Sequence, residues 1–464
     1  MSAAELPALD IAPCYETLKA RTRRGGPCVA DLLGLSATHD PFYAGRPAGQ
    51  LAGGWFAELW DAFSRPGRHL RGFHYVLVSQ RTPILFRDGT RYLNTEACWD
   101  KLQAASTSAR YLKLVSPEDI VDHRNPPPHL YATVREWPSD PRWHLPDPTW
   151  HLPAIPTYLG ASFSLTFPEP DVDGYDYHQA DQPYLLEVWI EKSTMDDVLL
   201  PVCRRFGMNL VTGVGYLSVT RVVEMLRRVA SHGKPARIFY ISDHDPSGEG
   251  MPIQAARQAE FWLRDYAADL GIKLTPIALD AEQAASYDLP RAPIKESNLG
   301  RAGFEDRHGE GAVELDALEA LHPGELARLL REAAAPYVDG ALPTKLIRAN
   351  EEADAVATSA WKAETRPERA ALQDITARAS AIASGYVAEL RALSERMETD
   401  IAPLQEQLEA LRLAVALRAE SLEIALPDRP EPDTDPPDED DWLFDSERDY
   451  FEQLDHYKAR RAAS

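Results

Sequence analysis

The sequence has little cysteine and no long apolar run, and each absence excludes a class of protein. Only four cysteines occur among its 464 residues, and none of them stands in CxxC spacing. That excludes a disulfide scaffold and argues against a zinc ribbon. No apolar stretch reaches the roughly 18 residues that a membrane span requires, and the first residues lack the apolar core of a signal peptide. We therefore expect a cytoplasmic protein with no membrane partner.

The charge of the chain is strongly negative but uneven. A net charge of −23 would repel nucleic acid if it were evenly spread. Acidic residues are dense in the run DRPEPDTDPPDEDD, whereas basic clusters lie at residues 19–24, at residues 65–71 and in the pairs 204–205 and 227–228. DNA therefore remains an admissible partner. The chain has no GxxxxGK[ST] sequence, so any ATP-driven step would need a partner subunit.

Composition divides the chain into five zones, and the predicted fold class is α/β. Proline and tryptophan crowd the second zone, strand and helix patterns alternate in the third, and the last is acidic. The predicted boundaries are an N-terminal domain 1–125, a connector 126–160, an α/β domain 161–342, a helical region 343–426 and an acidic tail 427–464.

The third zone opens with three apolar strands separated by two amphipathic helices. The first helix, STMDDVLLPVCRRFG, has Ser193 and Asp196 at capping-box spacing and Gly207 as its stop. This order predicts a parallel sheet with crossover helices. Ligands of such sheets bind beyond the carboxyl ends of the strands. The residues that we expect at this edge are Glu191, the turn glycines Gly213 and Gly215, and the pair Asp243 and Asp245.

Glu191, Asp243 and Asp245 form a set of carboxylates with no cysteine or histidine pair beside it. Oxygen ligands of this kind suit Mg²⁺, for which Mn²⁺ is a possible substitute. Such an ion would neutralise the charge of a reacting phosphodiester. The alternative is a pair of solvated loop carboxylates, Asp243 and Asp245, at a turn that leads into a helix.

Three short motifs carry a family resemblance over about 65 residues, namely Glu191–Lys192, TGVGY at 212–216 and DHDPSG at 243–248. Together they resemble the Toprim domain, in the form found in the A subunit of topoisomerase VI and the related meiotic double-strand-break transesterase. The resemblance implies that Glu191, Asp243 and Asp245 bind the metal. It also implies DNA contacts from Lys192, Gly213 and Gly215, although Lys192 could simply be solvated. Glu187 lies on the same strand but in its middle, without a following lysine.

Those enzymes carry a winged-helix domain before the Toprim domain, with a tyrosine four residues after an arginine. Here HLRGFHYVLVS places Arg71 four residues before Tyr75, and the Asp88–Gly89 pair predicts a hairpin. The resemblance implies a winged-helix-like first domain in which Tyr75 is the nucleophile and Arg71 contacts the DNA. One departure is His69–Leu70, where the family usually has a hydroxyl residue. The alternative for Tyr75 is core packing beside Phe73.

The resemblance implies Mg²⁺-dependent cleavage of double-stranded DNA by transesterification through Tyr75. One alternative is a hydrolytic Toprim nuclease that works with an ATPase complex, for example in plasmid or phage defence. Another is a DNA-binding scaffold without catalysis. The implied partners are a second copy of the chain, which would share mixed sites, and an ATPase subunit. The implied location is the nucleoid within the cytoplasm.

Two C-terminal patterns leave alternatives open. From Val387 to Val415 apolar residues recur at alternating three- and four-residue spacing, which fits a coiled coil between chains or a helical hairpin within one, with Pro403 favouring a break. Residues Trp442, Phe444, Tyr450 and Phe451 lie among acids. They suggest a docking segment, an autoinhibitory DNA mimic, or a solvated tail with a short terminal helix.

Overall fold

The computed structural model describes residues 14–22, 26–65, 67–135, 140–153, 164–267, 269–296, 298, 300–386, 394–437 and 441–463. These residues belong to two compact units. The first consists of Met1–Val134, Gln182–Asp339 and Thr434–Ser464, and the second of Arg135–Asp181 and Gly340–Asp433. Each unit combines segments that are distant in sequence, a division different from the five linear zones, whose boundaries stay predictions.

Short strands and helices alternate along the chain. In order they are α1 (Tyr15–Arg21), α2 (Pro47–Phe63), β1 (Arg68–His69), α3 (Leu70–Val78), α4 (Glu96–Tyr111), β2 (Ile120–Val121), β3 (Arg142–His144), β4 (Asp171–Asp173), β5 (Leu185–Ile190), α5 (Asp196–Phe206), β6 (Asn209–Thr212), α6 (Val219–His232), β7 (Ala236–Ile241), α7 (Pro246–Tyr266) and β8 (Ile272–Ala278). There follow α8 (Ala281–Ser286), α9 (Arg301–His308), α10 (Leu315–Leu321), α11 (Glu325–Ala334), α12 (Leu342–Glu364), α13 (Arg366–Tyr386), α14 (Ser394–Ser421), β9 (Phe444–Asp445) and α15 (Tyr450–Ala463). In the described part of the chain, no helix has the length and apolarity that crossing a membrane requires.

A five-stranded sheet organises the first unit, in the order β6-β5-β7-β8-β9. The first four strands are parallel and β9 is antiparallel to β8. The predicted mixed α/β class and parallel sheet are thus confirmed. Gly207 ends α5 in the left-handed conformation, as predicted, but α5 begins at Asp196. The capping box is wrong because a 3₁₀ turn precedes the helix and the Asp196 carboxylate accepts from Thr212 Oγ1 at 2.9 Å.

Helices cover both faces of the sheet. Every residue of β5 and β7 is buried, as expected for parallel strands between two helical layers. Leu185 and Trp189 face a core that contains α6 and α7, while Leu186, Val188 and Ile190 face one that contains α5 and α11. The alternation along β5 fixes the register in which this strand presents Glu191 at the sheet edge.

A buried ion pair joins the central strand β5 to α6. Glu187 is fully buried, and its two oxygens accept from Arg228 Nε at 2.7 Å and Nη2 at 2.9 Å. Asn209 and Trp189 donate to the same carboxylate at 3.0 and 2.9 Å. Burial alone would raise the pKa of Glu187, but Arg228 and these donors outweigh it and lower the pKa below 4.5. Glu187 therefore serves the core.

Replacing Arg228 by Met should lower the free energy of unfolding by about 3–5 kcal/mol, because it leaves a buried carboxylate without its counter-charge. The depressed pKa of Glu187 stabilises the wild type above about pH 4.5, and that contribution is lost as pH falls. In the variant, burial raises the pKa of Glu187 instead. The difference in the free energy of unfolding between wild type and variant should therefore become smaller in acid. Urea unfolding at pH 7 and pH 4 measures both effects.

Arg227→Met is the matched control for this prediction. Arg227 neighbours Arg228 on α6, but its side chain is 57% exposed and pairs with Glu118 at the surface. Exposed pairs contribute about 1 kcal/mol or less. Equal losses of stability for the two variants would contradict the role given to Arg228.

The N-terminal part of the first unit is a small module of helices with a hairpin. Helices α2, α3 and α4 pack around Phe56, Phe73 and Leu102. Strands β1 and β2 pair in parallel. The hairpin predicted at Asp88–Gly89 is confirmed: Phe86 N–H donates to Thr90 O at 2.8 Å, and Gly89 has a φ of +81°.

Residues 441–463 belong to the core of the first unit. The buried side chains of this segment include Trp442, Leu443, Phe444, Tyr450, Phe451, Leu454 and Tyr457. Arg257, itself fully buried, contacts Asp40 Oδ2 at 3.0 Å and donates to Tyr450 Oη at 2.6 Å. The terminal helix is confirmed, but the prediction of a solvated tail is wrong for this segment, because its aromatic residues pack on the chain itself.

In the second unit the apolar seam of α14 packs within the chain. Leu408 and Leu411 lie against Leu372 and Ile375 of α13, so the hairpin interpretation is confirmed for these residues. Helix α14 continues through Pro403, so the predicted break is wrong. Val387 lies outside the described residues. Strands β3 and β4 pair antiparallel, and Val172 of β4 packs on α12.

Candidate active site at the carboxyl edge of the sheet

The three predicted acids follow neighbouring strands at the same edge of the sheet. Glu191 follows β5, and its N–H donates to Ile241 O of β7 at 3.2 Å. Asp243 and Asp245 follow β7, and Asp245 caps α7 by accepting from Gly248 N at 2.6 Å. His244 lies between them in the sequence, and its buried ring packs on Phe304 and His308 of α9. Asp245 is therefore held at the start of α7, and the packing of His244 on α9 fixes the backbone between the two aspartates.

The Glu191 carboxyl group is electrostatically strained. Its pKa is raised to about 7, first by burial and then by the charges of Asp243 and Asp245, while the Asp243 N–H and Lys192 act in the opposite direction. One of its oxygens, Oε2, is buried without a hydrogen-bond partner. A carboxylate in this position gains from any cation that reaches it.

Lys192 neutralises part of this edge. Its Nζ lies 2.9 Å from Asp243 Oδ2, 2.9 Å from Glu314 Oε2 and 2.9 Å from Asp316 Oδ2. Burial opposes charge on this ammonium, but its hydrogen bonds to the three carboxylates raise its pKa overall. Asp243 is fixed further by Leu315 N–H, which donates to its Oδ1 at 2.8 Å. Lys192 is thus the centre of an ion-pair cluster rather than a freely solvated side chain.

Sequence reasoning missed Glu314 and Asp316. Glu314 immediately precedes α10, and Asp316 is the second residue of that helix. The two acids flank the buried Leu315, just as Asp243 and Asp245 flank His244. That repeated spacing after an extended segment is the signal that could have found them. Within the described residues, no three His, Cys, Asp or Glu side chains are gathered closely enough to form a ready-made metal cage. Glu191, Asp243 and Asp245 share one edge of the sheet, but Asp243 is already paired with Lys192.

The glycine turn after β6 lies beside the acids. Gly213 N–H donates to Ile190 O at 2.7 Å, and Gly215 has a φ of +74° that favours glycine. Tyr216 crosses the first turns of α7, where a Cβ on Gly250 would lie 2.6 Å from its hydroxyl oxygen. The TGVGY motif therefore contacts α7 at Gly250, two residues beyond the DHDPSG motif.

Position 248 requires glycine because the backbone of Asp243 passes very close to it. A Cβ at this position would lie 1.9 Å from the carbonyl oxygen of Asp243. We expect Gly248→Ala to lower the free energy of unfolding by about 1–3 kcal/mol, because the backbone must shift to relieve the overlap. Thermal unfolding measures this.

Gly303→Ala provides the opposite case for that experiment. Gly303 lies inside α9, and a Cβ there would meet only Arg307 Nη1, at 3.7 Å. Alanine should stabilise this helix slightly. If Gly248→Ala also raised the unfolding temperature, the predicted overlap between a Cβ at position 248 and the carbonyl oxygen of Asp243 would be refuted.

Tyr75 lies on α3 with 49% of its surface exposed, so the prediction of core packing is wrong, and Phe73 is the buried residue. The Arg71 guanidinium lies 5.5 Å from the centre of the Tyr75 ring and 4.7 Å from that of Trp99. The His69 ring caps α3 by accepting from Gly72 N–H at 3.1 Å. A histidine here does the capping that a hydroxyl residue does in other helices.

His74 is a packing residue. Its ring is buried, with Nδ1 at 2.5 Å from Tyr92 Oη and Nε2 at 3.0 Å from Asn94 Oδ1. Both nitrogens are engaged, so His74 has none to accept a proton from Tyr75. Trp99, whose ring packs on His74, was also missed by sequence reasoning, because nothing in its spacing distinguishes it.

The loop after β2 joins the N-terminal module to the sheet edge. Asn125 Oδ1 accepts from Val214 N–H of the glycine turn at 2.8 Å. Asp122 accepts from the Ser218 hydroxyl, which caps α6, and from Asn125 Nδ2 at 2.7 Å. These bonds fix the position of the module relative to the glycine turn within the first unit. No family model matches the chain, and no curated protein matches it either, so the interpretation of this site rests on its own residues.

Proposed function

We propose that this chain is a Mg²⁺-dependent DNA-cleaving protein. It would consist of a Toprim domain, a preceding winged-helix-like module and a helical C-terminal region, as in the A subunit of topoisomerase VI. The observation that carries the proposal is the position of Glu191, Asp243 and Asp245 at one strand edge. There burial, and after it the charges of the two aspartates, raise the pKa of a glutamate whose Oε2 has no partner. A partly buried carboxyl group kept under such repulsion has no structural use in the fold, whereas the fully buried Glu187 does.

The residues of the site fit Mg²⁺ or Mn²⁺. All three candidate ligands, Glu191, Asp243 and Asp245, offer carboxylate oxygens, which these ions prefer. When bound, the ion would neutralise charge on the phosphodiester. Asp243 is shared with Lys192, so binding must weaken the contact between Lys192 and Asp243 or use the other oxygen of Asp243.

The nucleophile in this proposal is Tyr75. Its hydroxyl oxygen gives up its proton to solvent and forms a bond to the DNA phosphorus, the bond from phosphorus to one deoxyribose oxygen breaks, and that oxygen takes up a proton from solvent. Arg71 lies against the ring and would contact the phosphate, where a guanidinium stabilises the charge that develops. The exposure of Tyr75 supports this role, because a nucleophile must reach the DNA.

The partners follow from the same chemistry. Cutting both strands of DNA requires two sites, so the chain would act as a homodimer in which Tyr75 of one subunit serves the acids of the other. Lys192, Gly213 and Gly215 would lie along the DNA backbone. ATP-driven steps would fall to a separate ATPase subunit, and the complex would work at the nucleoid in the cytoplasm.

Hydrolysis is the second candidate, and one observation favours it. In the described part of the chain no hydrogen bond joins Tyr75 to Glu191, Asp243 or Asp245, and its ring contacts Arg71 and His74 of its own helix. The acids of a single chain could direct a water molecule without Tyr75. A non-catalytic DNA-binding scaffold is less well supported, because it would have no use for the repulsion around Glu191.

The deciding experiment incubates supercoiled plasmid with the full-length protein and Mg²⁺, Mn²⁺ or EDTA. The products are run before and after protease treatment. Metal-dependent cutting with protein-linked ends supports transesterification, and cutting with free ends supports hydrolysis. DNA binding without cutting under any condition would support the scaffold and refute the proposed activity.

A further inference from the structure

A cleft of about 490 Å³ lies in the first unit between the N-terminal module and the sheet. Its walls come from α3, α4, the segment 120–125, the glycine turn with the start of α6, and α7. The volume falls within the range of small-ligand sites. None of the three acids lines it, whereas Arg71 and Tyr216 do. The cleft therefore adjoins the proposed active site without being part of its acid edge.

A buried arginine lines this cleft without an acidic partner. Arg110 is 7% exposed, and in the described part of the chain no ion pair joins it to a carboxylate, although the charge of Asp122 acts on it from a greater distance. Its hydrogen bonds are long, at 3.4 Å to Ser106 O, 3.5 Å to Thr220 Oγ1 and 3.5 Å to Thr107 Oγ1. A guanidinium has five N–H donors, and leaving them poorly paired away from water is costly. A ligand with oxygen or ring-nitrogen acceptors would offset that cost.

Two glutamines on α7 add acceptors to the same walls. Gln258 is 2% exposed, and its Oε1 has no hydrogen-bond partner. Gln254 stands one turn earlier, and its Oε1 is also buried and unpartnered. Unpaired buried amide oxygens are uncommon in folded proteins. Arg110, Gln254 and Gln258 all line the cleft, and together they carry both donors and acceptors, which is the pattern that the edge of a nucleobase requires.

The charge and the aromatic side chains of the cleft fit the rest of a nucleotide. Arg71 and Arg124 also line it, and Arg124 Nη2 lies 3.8 Å from the position of a Cβ on Gly215. The one acid in the lining, Asp122, is already engaged by Ser218 and Asn125. Trp99 adds an aromatic surface, on which a base can stack. In a chain of net charge −23, an arginine-rich cleft selects an anion.

We propose that this cleft binds a single unpaired nucleotide, with its base at Arg110, Gln254 and Gln258 and its phosphate at Arg71 and Arg124. The source of that nucleotide is DNA extruded beside the cleavage site, an assignment that rests on the proposed function. A free nucleotide has the same chemistry and is the second source to test. The site would make the protein sensitive to distorted or unpaired DNA.

The test measures binding of the full-length protein in EDTA, so that cleavage plays no part. The probes are a fluorescent DNA duplex, the same duplex with one extrahelical nucleotide, and the four deoxynucleoside monophosphates as competitors. We expect the bulged duplex to bind at least about tenfold more tightly than the paired one. Arg110→Met and Gln258→Met should each remove this preference.

Arg331→Met, an exposed arginine on α11, is the control and should keep the preference. Each cleft variant should lower the unfolding temperature only slightly, because the hydrogen bonds of Arg110 are long and Gln258 Oε1 has none to lose. Competition by monophosphates would show that the site also accepts free nucleotides. Equal binding of both duplexes, without competition, would overturn the proposal, as would variants that lose stability but keep the preference. A preference for the bulge in a protein that does not cut plasmid would leave the cleft standing and remove only the cleavage function.

Discussion

Replacing Asp245 by Asn is expected to reduce Mg²⁺-dependent plasmid cleavage by about 10³-fold or more. A metal ion contributes several kcal/mol of charge stabilisation to phosphoryl transfer, and the variant removes one of its anionic ligands. The change is conservative for the fold, because Asp245 caps α7 through Gly248 N–H and asparagine caps helices about as well. The measurement is the initial rate of plasmid cutting at fixed Mg²⁺.

Asp449→Asn is the matched control for that variant. Asp449 also accepts from backbone N–H groups at the start of a helix, those of Phe451 and Glu452, but at the far edge of the sheet, beside β9. Its replacement should leave both cleavage and stability unchanged. If the two asparagine variants cut plasmid equally well, Asp245 is not a metal ligand.

Glu191→Gln removes the charge of a second proposed metal ligand while it keeps the shape of the side chain. Glu191 Oε2 has no hydrogen bond to lose, and removing the carboxylate relieves repulsion with Asp243 and Asp245. The variant should therefore be at least as stable as the wild type while binding Mn²⁺ more weakly in calorimetry. A group whose loss stabilises the fold and weakens metal binding has a functional role, whereas a destabilised variant with unchanged binding would make Glu191 structural.

The sequence allowed the acid edge to be predicted because parallel topology leaves little choice. Once β5, β6 and β7 were identified by their apolar runs, the residues that follow them had to share an edge, whichever family they belong to. Glu191, Gly213 and Asp243 all follow that rule. The caps also carried local signals, since Gly207 and Gly233 end their helices in the left-handed conformation, which glycine favours.

What the sequence did not predict depends on contacts between distant segments. Glu314 and Asp316 meet Lys192 across more than 120 residues, a distance that no local pattern encodes. The terminal segment was misjudged for a related reason. Its composition is that of a solvated tail, but Phe444 extends the sheet beside Leu274 and Tyr450 bonds with Arg257. Tertiary packing thus outweighed composition.

Tyr75→Phe is expected to abolish protein-linked DNA ends completely, since phenylalanine has no oxygen to bond to phosphorus. Overall cutting should fall to the level of the metal-free reaction if transesterification is the only route. Folding should be unaffected, because Tyr75 is 49% exposed and the ring that contacts Arg71 is retained. The readout is the fraction of plasmid ends that enter a gel only after protease digestion.

Tyr177→Phe controls for the loss of a tyrosine hydroxyl from a partly exposed position, since Tyr177 is 39% exposed in the second unit. It should leave protein-linked ends unchanged.

Comparison of Tyr75→Phe with Asp245→Asn decides the mechanism. If Tyr75→Phe still cuts at the wild-type rate, with free ends, while Asp245→Asn does not cut, the acids direct water and Tyr75 only presents Arg71. If both variants are inactive and the wild type carries covalent ends, the tyrosine and the acids act on the same phosphodiester. In that case Tyr75 of one subunit would serve the acids of a second subunit, as the proposed homodimer requires.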